Sequence, residues 1–373
     1  MDSSDQPVSR VRLQAFTQGL QAWFENSHRP LPWKGEKDAY LIWLSEIILQ
    51  QTRVEQGLPY FERFRAQFPT VKALADAPED VVMKAWEGLG YYSRARNLHA
   101  TAKYIAYELG GQFPTTYDGI RALRGVGPYT AAAIASFAFE LPHAVVDGNV
   151  YRVLSRYWGI EAPIDTSAGK KRFAQLAEWA LQASTLAPSS HNQAMMDFGA
   201  THCKPKSPLC SSCPLQPHCK AYARQTVGQL PVKAKKIKKK NRFFHYLVIN
   251  AGSQVILRKR TEKDIWRNLY EFPLLEWPSD KASERDIRRS APWQACIGDA
   301  PARIEQVSPP QQQTLTHQKI RAVFWEIHLP GPATPATDLA PFFLTERKNL
   351  TNFAFPKIID WYLGDNSLYL KLL

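Results

Sequence analysis

Four cysteines stand close together in the chain, and thiols at such short spacing are typical of a metal site. They follow the pattern C-x6-C-x2-C-x5-C at Cys203, Cys210, Cys213 and Cys219, while the fifth, Cys296, stands alone. Disulfides explain this distribution poorly, because a tight cluster in a reducing compartment more often holds metal. Zinc and a cubane iron–sulfur cluster both accept four thiolates, so the spacing leaves the two open.

An isolated carboxyl group, Glu46, lies within the apolar run at residues 41–49. Burial raises the pKa of a carboxyl, and a carboxylic acid that stays protonated near neutral pH can serve as a general acid. The alternative is a glutamate on a narrow exposed stripe, paired with Arg53 or Lys34, and the pattern alone slightly favours it. We therefore treat Glu46 as a candidate acid whose burial the fold must decide.

A second carboxyl, Asp147, precedes Gly148 at the expected start of a helix. Aspartate there is most often an N-cap. Capping does not exclude chemistry, because a carboxylate at a helix start stays ionised and can stabilise the positive sugar formed when a glycosidic bond breaks. Glu46 and Asp147 would then divide the acid and stabiliser roles.

Two glycines at residues 123–131 predict a tight turn between helices, with Gly125, Val126 and Gly127 in the turn and Pro128 opening the second helix. Turn N–H groups and the positive end of that helix would hold a phosphate without reading sequence. The alternative is a plain glycine-rich connection between helices.

The elements that must position these groups fall into two regions. Residues 9–224 have mostly helical spacing, and the texture changes after a run of seven basic residues at 232–242 that predicts a solvated tether. Beyond it, residues 243–250 and 254–259 predict a β-hairpin, residues 320–329 a strand and residues 308–313 an exposed loop. We expect an all-α region followed by a smaller α+β domain.

Composition favours a nucleic-acid partner. The 373 residues suit two or three domains, and 47 Lys and Arg against 34 Asp and Glu give a net charge of +13, which suits a polyanion. No apolar run reaches the roughly 18 residues of a spanning helix, and Asp2 and Asp5 do not fit a secretory signal. We expect a cytoplasmic protein, associated with the nucleoid if its source is bacterial.

The glycine hairpin, the later Val-Asp-Gly-Asn-Val and the cysteine pattern occur in an order that resembles the helix-hairpin-helix DNA glycosylase superfamily. Within it, the chain is similar to the MutY family of adenine DNA glycosylases from about residue 10 to 224, and more loosely beyond. The similarity is carried by Leu-Pro-Trp at 31–33, Trp-Leu-Ser-Glu-Ile-Ile-Leu-Gln-Gln-Thr at 43–52, Gly-Leu-Gly-Tyr-Tyr-Ser-Arg-Ala-Arg-Asn-Leu at 88–98 and Asn-Gln-Ala-Met-Met-Asp-Phe-Gly at 192–199.

The resemblance implies a multidomain fold and a [4Fe-4S] cluster on the four cysteines. A helix-hairpin-helix glycosylase core with an iron–sulfur module would precede a C-terminal α+β Nudix-like domain. The implied parts are the N-terminal piece of the iron–sulfur module at 1–34, a six-helix barrel with the hairpin at 35–146, the cluster module at 147–224, a basic linker at 225–242 and a lesion-recognition domain at 243–373.

The resemblance also implies a monomeric base-excision repair enzyme that removes adenine mispaired with 8-oxoguanine or guanine in double-stranded DNA. The adenine would be flipped into a pocket, protonated at N7 by Glu46, and released while Asp147 supports the oxocarbenium-like sugar. Matching positions assign the other roles: active-site lining to Tyr129 and Asn149, the adenine pocket to Leu49 and Gln193, and the DNA wedge to Gln51 and Tyr91.

Two departures within the superfamily refine these expectations. Tyr129 stands where relatives similar to endonuclease III carry a lysine, and because a tyrosine cannot form a Schiff base we expect a monofunctional glycosylase. The Phe-Ser-His loop of the family appears here as Leu315-Thr316-His317, which keeps a hydroxyl and the imidazole for lesion reading. The alternatives are an oxidised-pyrimidine glycosylase with lyase activity and a non-catalytic DNA-binding protein.

Overall fold

The computed structural model describes residues 9–27, 29–234, 238–330 and 340–365. By their contacts the residues form two units. One contains Met1–Ala75 and Ala100–Lys235, and the other contains Asp76–His99 and Lys236–Leu373. The second unit therefore includes a short segment from the middle of the helical region, which the sequence did not predict.

The first unit is helical, as the spacing of apolar residues predicts. Its main helices are α1 (Arg10–Glu25), α2 (Ala39–Leu49), α3 (Val54–Gln67), α4 (Val71–Asp76), α7 (Tyr117–Ala122), α8 (Pro128–Phe139), α9 (Gly148–Trp158), α10 (Ser167–Gln182), α11 (Pro188–Asp197) and α12 (Lys220–Ala223). Helix α5 (Glu79–Ala85) belongs to the second unit, and α6 (Ser93–Tyr107) runs from the second unit into the first.

Two apolar contacts organise the helices that carry the candidate residues. Helix α2 packs against α3 and α8, so most of its side chains are buried. Helices α1, α9, α10 and α11 share a second core that includes Phe16, Leu20, Leu154 and Phe173. Burial of side chains of this size contributes roughly 2 kcal/mol each, and it fixes the positions at which α2, α8 and α9 present their polar residues.

The second unit contains an eight-stranded mixed sheet. Strand β1 (Lys240–Ala251) pairs in parallel with β7 (Gln318–Leu329) along its whole length, and antiparallel with β2 (Gln254–Lys259) in the predicted hairpin. The remaining strands are β3 (Tyr270–Glu271), β4 (Leu274–Trp277), β5 (Arg303–Val307), β6 (Gln311–Thr314) and β8 (Phe342–Glu346), with helices α13 (Glu284–Arg288), α14 (Ala291–Cys296) and α15 (Lys357–Asp365). Five strands follow the order β3-β2-β1-β7-β5, while β4 pairs with β1, β6 with β7 and β8 with β2.

Two expectations for this unit differ from the structure. The exposed loop predicted at residues 308–313 is wrong in its second half, where β6 pairs antiparallel with β7. The tether predicted at 232–242 ends early, because β1 begins at Lys240 and Arg242 is ion-paired with Asp264 and Glu276. Within the described part of the chain, no helix has the length and hydrophobicity to cross a membrane.

Candidate active site

A cleft of about 1010 Å³ in the first unit contains both candidate carboxyl groups. The N-terminal segment before α2 forms one wall, and helices α2, α8, α9 and α11 contribute most of the others. The cleft brings together six of the predicted residues: Glu46, Leu49, Tyr129, Asp147, Asn149 and Gln193. A cavity of this volume is large enough for a nucleobase with its sugar.

Glu46 lies in the middle of α2 and exposes only 6% of its surface. Burial raises the pKa of Glu46 to about 7, and the charge of Asp147 acts in the same direction, while a hydrogen bond from Tyr129 opposes both. The exposed-stripe alternative is wrong, since Glu46 is buried and Lys34 pairs with Asp197, with Nζ 2.5 Å from Oδ2. Glu46 can therefore carry a proton near neutral pH.

Tyr129 lies in the first turn of α8 and donates its hydroxyl hydrogen to Glu46. Burial, with the nearby charges of Glu46 and Asp147, holds the pKa of Tyr129 well above its usual value. The phenol consequently stays protonated and remains a hydrogen-bond donor to the carboxyl group.

Asp147 is the N-cap of α9, as its position in the sequence predicts. Its carboxylate accepts hydrogen bonds from the backbone N–H of Val150 at 2.7 Å and from Nδ2 of Asn149 at 2.6 Å. These bonds lower the pKa of Asp147, but burial outweighs them and the net shift is upward. The N-cap was predicted from the sequence, whereas the upward shift in the pKa of Asp147 on burial was not.

Asn149 and Arg152 connect this carboxylate to the cysteine segment. Arg152 donates to Oδ1 of Asn149 at 2.7 Å, to the Gly199 carbonyl at 2.7 Å and to the Cys203 carbonyl at 2.7 Å. A Cβ on Gly199 would lie only 2.6 Å from that of Asn149, so the close approach requires glycine. Asn149 is therefore fixed by the hydrogen bond from Arg152 and by its close contact with Gly199. Its own Nδ2 donates to Asp147 and so positions that carboxylate.

The four predicted ligands Cys203, Cys210, Cys213 and Cys219 converge on a small void of about 30 Å³. Burial and the three other thiols raise the pKa of Cys213 to about 12. Across residues 9–27, 29–234, 238–330 and 340–365, no three His, Cys, Asp or Glu side chains have the geometry to share a single metal ion. Arg156 donates to the Cys203 Sγ at 3.5 Å, which adds a positive charge beside the thiols.

The predicted hairpin is present between α7 and α8. Gly125 has φ +80°, a value that favours glycine, and Gly127 is the N-cap of α8, with Pro128 as its first residue. Val126 is buried and its carbonyl accepts a hydrogen bond from Arg121. Nothing lies within 4 Å of the position of a Cβ on Gly127, so the N-terminus of α8 is open to an incoming group.

Both predicted wedge residues have left-handed backbones, which are costly for residues with side chains. Gln51 has φ +55° and lies exposed just beyond α2 in the first unit. Tyr91 has φ +47° and is 44% exposed in the second unit. Its hydroxyl lies 2.5 Å from Oγ1 of Thr316 in the turn between β6 and β7, and the neighbouring His317 is exposed.

Asp197 is one site residue that sequence reasoning missed. It is buried at the end of α11, and it accepts from Arg29 at 3.0 Å as well as from Lys34. Both cations line the cleft, so Asp197 neutralises positive charge beside the reaction centre. The available signal was a single acid placed between the apolar residues Met195, Met196 and Phe198.

Known families match both halves of this arrangement. Residues 44–179 match the HhH-GPD superfamily of base excision DNA repair proteins, and residues 245–363 match the NUDIX domain. A helix-hairpin-helix beside a cleft with two carboxyl groups, followed by a Nudix-like domain, defines a DNA glycosylase of base excision repair.

Curated relatives narrow the class. The chain is 38% identical to the adenine DNA glycosylase of Buchnera aphidicola subsp. Schizaphis graminum, over 70% of this chain and 76% of that protein. It is 31% identical to the human adenine DNA glycosylase, over 89% of this chain and 70% of that protein. The chain belongs to the adenine DNA glycosylase family, which confirms the resemblance inferred from its motifs.

Among solved structures, that of a thermostable thymine-DNA glycosylase is similar to this chain with a TM-score of 0.54 at 26% identity, covering 58% of this chain and 100% of the other. The expected fold class, a helical glycosylase core followed by a Nudix-like domain, is confirmed.

Proposed function

We propose that this adenine DNA glycosylase acts on adenine opposite 8-oxoguanine or guanine in double-stranded DNA, as a monomer, and that it hydrolyses the glycosidic bond without cleaving the strand. The proposal depends most on one observation: Glu46, with a pKa of about 7, shares the cleft with Asp147. A proton donor and an anion in one cavity suit departure of a base from a sugar that becomes positive.

In the proposed reaction, Glu46 transfers its proton to N7 of the flipped adenine, and the electrons of the C1′–N9 bond leave with the base. Asp147 stabilises the positive charge that develops at C1′. Water then adds to C1′ and its proton returns to the Glu46 carboxylate. Tyr129 positions Glu46, and Asn149 positions Asp147, through the hydrogen bonds described above.

The other predicted residues receive roles that fit their placement. Leu49 and Gln193, on the cleft wall, would contact adenine, while the open N-terminus of α8 after Gly125, Val126 and Gly127 would hold a DNA phosphate. The strained, exposed Gln51 and Tyr91 would enter the space left by the flipped base. Thr316 and His317 would read the opposite base.

Tyr129 supports hydrolysis over a lyase reaction. It stands at the position of the Schiff-base lysine in relatives similar to endonuclease III, and its hydroxyl is already engaged with Glu46. A phenol has no amine with which to attack C1′.

We further propose a [4Fe-4S] cluster on Cys203, Cys210, Cys213 and Cys219. The four thiols surround one void, and four thiolates are the ligand set of such a cluster. The choice of iron and sulfur over zinc rests on the resemblance to the glycosylase family. When bound, the cluster would supply a covalent cross-link of this loop. The segments at 1–34 and 147–224 would form the cluster module, and the predicted linker, which starts at residue 225, would end before β1 at Lys240. We place the enzyme in the cytoplasm, where a reducing environment keeps such thiols free of disulfides.

The cluster has a direct test. Protein purified without oxygen should be brown, with a broad visible absorption band and about four irons per chain. Cys213→Ser should lose both the colour and the iron, while Cys296→Ser, which changes the lone cysteine, should keep them. Colourless parent protein with stoichiometric zinc would contradict the assignment.

The substrate proposal is tested with three duplexes that place adenine opposite 8-oxoguanine, guanine or thymine. We expect adenine release from the first two, little release from the third, and almost no adduct trapped by borohydride. Abundant trapped adduct would favour the oxidised-pyrimidine glycosylase and lyase, and tight binding without base release would favour a non-catalytic DNA-binding protein.

The pKa of Glu46 predicts the pH dependence. The acid acts in its protonated form, so adenine release at saturating enzyme should fall as the pH rises above 7, by about tenfold per pH unit. Single-turnover rates between about pH 6 and pH 9 measure this directly. A rate that stays level or increases across that range would be incompatible with an acid role for Glu46.

A further inference from the structure

The loop that carries Tyr91 is anchored in the second unit. Residues 76–99 lie within the matched HhH-GPD region, yet they pack with residues 236–373. Tyr91 has φ +47°, and such a backbone persists only where surrounding contacts fix it. The contacts that hold this loop therefore decide where the Tyr91 ring stands.

The loop is braced from within by Trp86 and Arg94. The guanidinium of Arg94 lies 5.0 Å from the Trp86 ring centroid and 5.5 Å from that of Tyr91. Both Arg94 and Trp86 donate to the Gly90 carbonyl, at 3.2 and 3.0 Å. With these braces, the loop is expected to move as one piece with α5, which directly precedes it.

The N-terminal end of α5 is held by polar contacts that we name the acidic clasp. Lys259 Nζ donates to Asp80 Oδ1 at 2.6 Å, and the Tyr270 hydroxyl donates to Asp80 Oδ2 at 2.9 Å. Asn268 Nδ2 donates to Glu79 Oε1 at 2.7 Å. Side chains from β2, β3 and the loop between them thus converge on two consecutive acids.

The C-terminal end of α5 has a second attachment. Lys84 donates to the Phe353 carbonyl at 2.9 Å, and Glu87 accepts from the Phe355 N–H at 2.8 Å. Beyond the helix, the Tyr91 hydroxyl lies 2.5 Å from Oγ1 of Thr316, within hydrogen-bonding distance. The C-terminal domain consequently holds the helix at both ends and the tip of the loop as well.

We infer that the acidic clasp positions the loop that carries Tyr91. The C-terminal domain would then fix the place of the Tyr91 side chain through the clasp, in addition to contacting it through Thr316. For the use of Tyr91 on DNA this rests on the proposed function. Asp80 and Lys259 are positioning residues that act through Tyr91. Their side chains are 48% and 29% exposed, so the ion pair contributes little to overall stability and its variants should fold.

The test is a charge exchange between Asp80 and Lys259. In Asp80→Lys, hydrogen exchange at the amides of residues 88–94 should accelerate, and the KM for DNA with A opposite 8-oxoguanine should rise about fivefold, with kcat unchanged. The double variant Asp80→Lys with Lys259→Asp should restore both values. Lys281→Asp, at an exposed lysine of the same domain, is the matched control and should change neither.

The two readouts separate the clasp from the proposed function. Unchanged exchange at residues 88–94 in Asp80→Lys, or no restoration in the double variant, would overturn the clasp. A lower kcat with unchanged KM would overturn it as well, because the effect would then lie in the chemistry. If the parent releases no adenine, the proposed function fails while the exchange data still decide the clasp. Should Asp80→Lys fail to fold, Lys259→Gln replaces it with the same expected directions.

Discussion

Glu46→Gln is expected to slow single-turnover adenine release by about 10³-fold at saturating enzyme. Glutamine has nearly the same shape as glutamic acid and can still accept the hydrogen bond from Tyr129, but it has no acidic proton for the departing base. Because the carboxyl is buried and has a pKa of about 7, it is neutral for much of the time, and an amide replaces it without an unpaired charge.

The measurement needs binding and a matched control beside the rate. Affinity for the same duplex should stay near that of the parent, since Glu46 lies inside the cleft and acts on the base. Glu55→Gln, an exposed glutamate in the first turn of α3, makes the same chemical change and should release adenine at the parent rate. Equal rates for Glu46→Gln and the parent would rule out the acid role.

The local parts of this site follow from the sequence. Asp147 before Gly148 predicts an N-cap, because capping depends only on the termination rules of one helix. The apolar run around Glu46 left burial and an exposed stripe open and slightly favoured the stripe, so the burial of Glu46 is shown by the fold. The turn at Gly125 and the pairing of strands after Asn250 likewise need only a few neighbouring residues.

Other features depend on residues that are distant in the chain. The bond between Tyr129 and Glu46 requires α8 to pack on α2, and the ion pairs of Asp197 require α11 to meet the segment before α2. The helical spacing of apolar residues can indicate that a residue is buried, but it does not indicate which residue of another helix it contacts. The family resemblance provided Glu46 and Tyr129 as site positions, but it did not provide the ion pairs of Asp197.

Strand β6 shows a different limit. Gln311, Gln312 and Gln313 have no apolar alternation, so the sequence predicts a loop, yet the strand forms because β7 supplies an antiparallel partner for its backbone. The attachment of residues 76–99 to the C-terminal domain is hidden for the same reason. In the sequence, Glu79 and Asp80 look like ordinary acidic residues in the first turn of a helix. Their role becomes clear only with their partners on β2 and β3.

Asp147→Asn is expected to reduce adenine release by about 10²- to 10³-fold while leaving the fold intact. Asparagine caps helices as well as aspartate does, so its amide oxygen can keep the hydrogen bond from Val150, while the negative charge and the hydrogen bond from Asn149 are lost. The substitution therefore separates the two roles that the sequence left combined. The rate would fall because the positive charge that develops on the sugar would no longer be stabilised by a nearby anion.

The neighbouring helix provides the control for capping. Asp38 is the N-cap of α2 and accepts from the Tyr40 N–H at 2.8 Å, so Asp38→Asn makes the same exchange at a cap in the same unit. Thermal unfolding should be nearly unchanged in both variants, and only Asp147→Asn should lose activity. If Asp147→Asn released adenine at the parent rate, Asp147 would act only as a helix cap. The positive charge on the sugar would then lack its proposed counter-ion, because Glu46 must be protonated to act and cannot replace it.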